Sequence, residues 1–332
     1  MRSNTLLSVL TVSTTLVGLC TGCQPDPVEQ KRLAGMASYI EGYHAFQEGD
    51  RDAAVRALLT AVETNPELIT ARGMLADIYR HEGQYELAAE QYRTLTNLDP
   101  YNYLNFYHLG VSYHFLDRIR SAVEAYHGAL RLRPDDPRSN MNLGLAYMVL
   151  GEADKALPYA RRAVELNGDS PAAWGNYALV LDSLGQHGQA EAAYRRSLEM
   201  DPTQIGVRIN YSANLIRQGR PGEAVSIMQE VVAEQRSVLA LRRLGDAYAA
   251  AGQPQQAVDQ YRAALEINPK YYPAMNAIAT VRIQQYEKGL QLDESLRADA
   301  LEMWRRSLAV HPQQPDVIEK LRRWENIGLF GS

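Results

Sequence analysis

Residues 137–170 read PRSNMNLGLAYMVLGEADKALPYARRAVELNGDS, and residues 171–204 read PAAWGNYALVLDSLGQHGQAEAAYRRSLEMDPTQ. Aligned, the two strings place Asn142 over Asn176, Gly144 over Ala178, Gly151 over Gly185 and Ala156 over Ala190. The 34-residue interval runs outward in both directions. Ala54, Ala88, Ala122, Ala156, Ala190 and Ala224 keep it, Ala257 follows after 33 residues and Ala300 after 43. A second small-residue series precedes them: Gly42, Ala76, Gly110, Gly144, Ala178, Ser212, Gly245 and Ala279. Four residues after each Ala comes a large side chain, namely Leu58, Tyr92, Tyr126, Tyr194, Met228, Tyr261 or Trp304, with Ala160 the exception. Pro66, Pro100, Pro134 and Pro202 punctuate the interval, Gly168 standing in the skipped slot.

Such a period is the sequence signature of a repeat architecture. Small residues on two facing helices let them approach closely, and Tyr79, Tyr113, Tyr147 and Tyr248 fill the space beside them. Gly49, Gly83, Gly151, Gly185, Gly219 and Gly252 suit the left-handed residue that ends a helix. Proline cannot continue a helix, so it ends each second helix at the unit boundary. The pattern resembles the tetratricopeptide repeat (TPR), a helix–turn–helix unit, over residues 35–314 as eight units. The resemblance implies an all-α fold, a right-handed α-solenoid of about eight helix pairs, with a capping helix in residues 315–332 that offers Ile318, Leu321 and Trp324. No single unit buries its apolar face, so stacked neighbours share one core. Unit six is one residue short and has Arg236 where Pro is usual. Unit eight carries nine extra residues around Tyr286 to Asp293, read as a longer hairpin or as a loop for a partner.

Residues 1–22 read as an export signal: Arg2, an apolar stretch from Leu6 to Leu19, then Thr21-Gly22. The stretch is shorter than the roughly 20 apolar residues of a spanning helix. LCTGCQPD resembles a bacterial lipobox, which implies acylation of Cys23 and attachment to a membrane through residues 23–34 as a short tether. Cys20, where that family prefers Leu, departs from the pattern. Each buried methylene of an acyl chain contributes about 0.8 kcal/mol to such anchoring. Gln24 after the cysteine implies the outer membrane under the sorting rule of enteric bacteria, on the periplasmic side of the envelope. An ordinary cleaved signal and a soluble periplasmic protein is the alternative. Cys20 and Cys23 are the chain's two cysteines, which leaves no disulfide framework or Cys-rich metal site in the repeats.

The 34 Lys plus Arg against 39 Asp plus Glu leave a formal charge of −5, so no cation excess is available to neutralise nucleic-acid phosphates. Hydrophobic residues at 46% and charged residues at 22% suit a folded chain rather than a disordered one.

In TPR arrays the first helix of each pair, helix A, lines the concave side. Counting each unit from Gly35 or its equivalent, positions 4, 7, 8 and 11 face the core, and 2, 5, 6, 9, 12 and 13 face the groove. Position 6 holds Asn142, Asn176 and Asn210 in consecutive units, with His108 one unit earlier and Arg243 one unit later. The row is similar to the asparagine ladder in the TPR domain of O-linked N-acetylglucosamine transferases, which implies a grip on the backbone of an extended peptide. That family's catalytic domain has no counterpart here. An Asn amide offers both a donor and an acceptor, matching the N–H and C=O of a strand. Met141, Leu145, Met148, Leu179, Ile209 and Ile216 fall at groove positions, with Tyr107 and Phe115 in unit three and Tyr39, Tyr43 and Phe46 in unit one. Two readings stand for this set: a ligand surface, or amides that pair with one another or with water and apolar residues packed between successive helices, the unit-one aromatics being covered by residues 28–34. A carboxylate clamp for a C-terminal acid is incomplete, since Gly175, Leu179 and Leu239 occupy places that need Asn or a cation.

The sequence contains no phosphate-binding glycine loop, no G-x-S-x-G and no H-E-x-x-H. The expected function is therefore a non-enzymatic, membrane-anchored scaffold that holds a protein or peptide partner during assembly of an envelope or export complex, without a cofactor. The alternatives are a metal-binding or enzymatic protein using His81, His108 and His114, and a polysaccharide-binding scaffold using the groove aromatics.

Overall fold

The computed structural model describes residues 26–289 and 292–326. Cys23 and the export signal lie outside the described residues. The chain divides after Pro134 into two compact units, all-α throughout the described residues.

The first unit holds α1 (Pro27–Gln47), α2 (Arg51–Thr64), α3 (Ile69–His81), α4 (Tyr85–Leu98), α5 (Tyr103–Phe115) and α6 (Ile119–Leu132). Each odd helix packs on the even helix that follows and on its predecessor, which is the helix-pair stacking of a TPR solenoid. The core runs through Ala54, Leu58, Leu75, Ala76, Ala88, Tyr92 and Leu95. Helix α1 begins at Pro27, capped by the Asp26 side chain, so residues 27–34, expected as a tether, are the first turns of the first A helix.

The second unit holds α7 (Pro137–Val149), α8 (Ala153–Leu166), α9 (Pro171–Ser183), α10 (His187–Met200), α11 (Ile205–Arg217), α12 (Pro221–Glu234), α13 (Val238–Ala250), α14 (Pro254–Ile267), α15 (Tyr272–Lys288), α16 (Glu294–Val310) and α17 (Pro315–Asn326). Asp136, Ser170 and Ser237 cap α7, α9 and α13 by accepting the N–H of Ser139, Ala173 and Ala240. The six glycines expected to end A helices all have φ between 73° and 86°. In unit three that place falls to Asp117, the one non-glycine described with positive φ, at 57°.

The extra residues of unit eight lengthen its helices: α15 and α16 have 17 residues each, against 13 and 14 in α13 and α14. Tyr286 near the tip donates to Glu294 Oε1 at 2.6 Å. Helix α17 covers this pair with Trp324 and Val317 buried in the core, while Leu321 is only partly buried. Val317 takes the inner place offered to Ile318, which stays half-exposed.

The two small-residue series work as close approaches. A Cβ on Gly110 would fall 2.6 Å from the Tyr126 ring, and one on Gly245 would fall 2.4 Å from the Tyr261 ring. Gly144 instead meets the backbone of Ala160 at 3.3 Å, which accounts for the missing large residue in that unit. There the helices touch directly, and Tyr159 stacks with Tyr147 at 5.9 Å alongside. Among the described residues no helix is long and apolar enough to cross a membrane.

Candidate functional site

The 13-residue A helices of the second unit repeat one burial pattern. In α7, α9, α11 and α13, positions 8 and 10 are buried, while positions 2 and 13 are exposed and 6 and 9 half-buried. The stripe 2, 6, 9, 13 is one helix face at the 3.6-residue period. It carries Asn142, Asn176, Asn210 and Arg243 at position 6 and Leu145, Leu179, Ala213 and Asp246 at position 9. Neighbouring A helices touch, and beside the middle rung a Cβ on Gly175 would lie 2.8 Å from Val207 Cγ2.

All three Asn side chains are half-buried, and Asn176 and Asn210 make no hydrogen bond to other described residues. Leu145 and Leu179 lie one turn on from Asn142 and Asn176, both half-buried. Met141 leans on Ala163, Val164 and Ala173, and Met148 on Ala156, Ala160 and Val180, so each is at once a packing residue and a wall of the stripe. Ile216 plays the same double part beside Leu215 and Tyr211.

Ile209 does not belong to this surface. It is 7% exposed, packed with Met228, Val231, Ala240 and Leu244. Its position 5 points into the gap between its own B helix and the next A helix, and the equivalent Gly175 is buried for the same reason. Arg243 is already engaged: its guanidinium reaches Asp246 at 3.5 Å, a carboxylate that also takes Arg242 at 3.2 Å and the Tyr261 hydroxyl at 3.0 Å. The Tyr261 phenol is pushed up by burial and then by Asp246.

In the first unit, His108 stacks on Tyr92 at 5.3 Å, and Tyr107 meets it edge-on at 5.0 Å. Phe115 stacks flat on Tyr85 at 4.3 Å and stays 64% exposed. An open cavity of about 630 Å³ lies between α1 and α3. Tyr39, Tyr43 and Phe46 form one wall; Met74, Asp77, Ile78 and Arg80 form the other. Tyr43 and Phe46 remain open to solvent rather than covered by residues 28–34, because those residues continue α1 as helix. On the far wall the Tyr92 hydroxyl donates to Asp77 at 2.6 Å and Arg80 bridges both groups.

Of the three histidines considered as ligands, His81 sits 3.0 Å from Arg80, His108 is in the Tyr92 stack, and burial pushes His114 below the usual imidazole range despite Asp117 nearby. Among the described residues, no three His, Cys, Asp or Glu side chains gather as a metal site would require.

A charged junction between units five and six escaped the sequence reading. The buried Asp182 carboxylate meets His187 Nδ1 at 2.7 Å, accepts from Asn214 Nδ2 at 2.8 Å, and pairs with Arg217. Beside it Glu191 takes a two-pronged contact from Arg220 at 2.8 and 2.9 Å, plus Gln218, Arg195 and the Tyr211 hydroxyl. Burial alone would raise the Glu191 carboxyl, but the hydrogen bonds and charges of Arg220, Gln218 and Arg195 hold it below the usual range. The signal available in the sequence was an Asp at position 12 of unit five, where its neighbours carry Met148 and Ile216.

Sequence profiles described as tetratricopeptide repeat match residues 39–103, 109–171 and 147–205, with further ones over 181–245 and 238–271. Comparison with curated proteins finds no match. Among solved structures, a tetratricopeptide repeat protein from Parabacteroides merdae is 17% identical, covers 71% of this chain and 94% of its own, with a TM-score of 0.59. PilW, described as a widely conserved type IV pilus biogenesis factor, is 23% identical over 61% of this chain and 94% of its own, with a TM-score of 0.55. The APC/C hetero-tetramer Cut9-Hcn1 gives 15% identity over 83% of this chain and 54% of the matched one, with a TM-score of 0.61. At these identities the likeness is one of fold. The repeat itself, matched through most of the chain, sets the class of function as a protein-interaction scaffold: the chain belongs to the tetratricopeptide repeat family.

Proposed function

We propose that this protein is a lipid-anchored scaffold of the bacterial cell envelope that holds an extended segment of a partner polypeptide along the A-helix face of its second unit. The observation that carries the reading is the register of Asn142, Asn176 and Asn210, one amide per helix on three touching helices, each half-buried, with leucine one turn on from the first two. Packed helices lie about 10 Å apart and a strand rises about 3.3 Å per residue, so each amide would meet every third peptide unit of a bound strand. Main-chain recognition of this kind tolerates varied sequence, while Leu145, Leu179 and Met148 supply apolar contact for alternate side chains. Anchoring rests on Cys23 and the signal-like stretch before it.

Replacing the three asparagines together with Ala is expected to weaken partner capture about 100-fold, at a net ~1 kcal/mol per rung, with helicity unchanged. A photo-crosslinking residue at Leu179, followed by mass spectrometry from intact cells, supplies the partner segment for that titration. Unchanged affinity in the triple variant would overturn the ladder. Separately, Cys23→Ser should shift the protein from the membrane fraction to the soluble fraction, and retention on the membrane would count against the lipid anchor.

A further inference from the structure

Units two and seven build the same polar framework with different charge. In unit two, Asp77 at position 9 of the A helix accepts from the Tyr92 hydroxyl at 2.6 Å and from Arg80 at 3.1 Å, so one carboxylate meets one guanidinium. Unit seven repeats the first contact, the Tyr261 hydroxyl donating to Asp246 Oδ1 at 3.0 Å. Its other carboxylate oxygen is shared by two guanidiniums, Arg242 Nε at 3.2 Å and Arg243 Nη1 at 3.5 Å. The sharing is poor. Arg242 Nε is not aligned to donate, the Arg243 bond is longer than a normal one, and the Nε of each arginine is buried without an acceptor among the described residues. A guanidinium carries five donors and keeps its charge. Both side chains are drawn partly out of water, at 28% and 36% exposure, and among the described residues Asp246 is the one carboxylate that pairs with them. Unit seven thus holds one cation more than its own acid takes up. That surplus borders the A-helix stripe. Positions 2, 6, 9 and 13 of α7, α9, α11 and α13 include a single acid, Asp246, although the chain as a whole carries −5. Arg243 stands at position 6, one step beyond Asn210 in the row, with Arg242 beside it.

We propose that Arg242 and Arg243 take the carboxylate of an Asp or Glu side chain in the partner segment, so that unit seven is where the groove reads sequence. The site acts on a segment laid along the Asn row and rests on that reading. With helices about 10 Å apart and a strand rise of about 3.3 Å per residue, the acid lies about three residues past the peptide unit held by Asn210. Arginine matches a carboxylate with two parallel hydrogen bonds, and such charge-assisted bonds are about twice as strong as neutral ones. The Asn amides accept any side chain, so the arginine pair sets the register in which a segment lies down. A chain-terminal carboxylate has the same chemistry, but Gly175, Leu179 and Leu239 occupy the places a clamp for it needs.

The test presents the purified full chain with a phage library of random peptides of about twelve residues, long enough at that spacing to reach from α7 to α13. The peptides are fused at their C-termini, so an enriched acid is a side chain and not a chain end. The parent chain should select Asp or Glu at one position, and the double variant Arg242→Gln, Arg243→Gln should lose that preference. For one selected peptide, replacing its acid with the amide should weaken binding to the parent about tenfold and leave binding to the double variant unchanged. Asp246→Asn removes the internal competitor and should tighten the same peptide about threefold. Circular dichroism reports folding, and the Asp246→Asn and peptide measurements stand even where the double variant fails to fold. Weaker binding by Asp246→Asn would mean that the arginines only brace the helix, and would overturn the proposal. So would selected peptides with no acid preference whose binding still falls in the Asn142, Asn176 and Asn210 triple variant, a result that leaves the row standing. Peptides indifferent to the triple variant would overturn the row and this site with it.

Discussion

Gly245 lies where the Tyr261 ring passes so closely that an added methyl would come within 2.4 Å of Cε1. The ring cannot easily give way, because its hydroxyl is held by Asp246 at 3.0 Å and the side chain is buried. Gly73 in α3 is also mid-helix, yet nothing stands within 4 Å of its missing Cβ. The same substitution should therefore have opposite signs. Gly245→Ala is expected to cost about 1–3 kcal/mol through overpacking, and Gly73→Ala to stabilise by about 0.5–1 kcal/mol through helix propensity. Thermal melts of the two variants check the pair. The need for a small residue at position 8 was legible from the repeat, since the series Gly42 to Ala279 states it unit by unit. The use of Asp117 in place of the turn glycine was not, because a left-handed residue leaves no hydrophobic mark and Asp tolerates that conformation with a local cost.

Helix by helix, the periodicity told core from surface well at positions that point straight at either, and poorly at the boundary. Positions 5 and 12 flank the A-helix stripe, so whether a residue there is sealed depends on the bulk of its neighbours. Met141 stays half-open at position 5, while Ile209 at the same position is closed over by Met228 and Leu244. The Asp182 and Glu191 junction was illegible for another reason: its partners come from α9, α10, α11 and the turn after α11, and meet only through tertiary packing. That junction makes a pH prediction. The Glu191 carboxyl sits below its ordinary range in the folded protein, so it contributes stability that is fully present above the unfolded carboxylate range and is lost as pH falls through the lowered folded value. Glu191→Gln should cost about 1.5–3 kcal/mol at neutral pH, the scale of hydrogen bonds to a charged group. Its unfolding midpoint should also fall less steeply than the parent's between neutral and acid pH. Parallel curves for the two proteins would show that Glu191 does not carry this dependence.

Taken as a whole, the molecule is a string of local agreements. Its substantial helix contacts run between elements one or two apart in the chain, so each pair answers chiefly to its neighbours. The division after Pro134 left no trace in the sequence, where the step from Ala122 to Ala156 is the same 34 residues as its neighbours. An interval records what each unit needs and does not mark where the chain divides. Nearest-neighbour coupling of this kind predicts that damage stays where it is made. Trp324 is 5% exposed, meets Tyr286 edge-on at 6.1 Å, and its carbonyl accepts from Arg297 at 3.2 Å. Trp324→Ala should cost about 3–5 kcal/mol locally. Because α17 is the last cover of unit eight, the loss should appear as faster amide hydrogen exchange in α15, α16 and α17. Protection in α7 to α9, and throughout α1 to α6, should be unchanged. A uniform loss of protection along the chain would instead mean that the repeats unfold as one body, and the local bookkeeping of interactions used for the Asn row and the charged junction would then have to be abandoned.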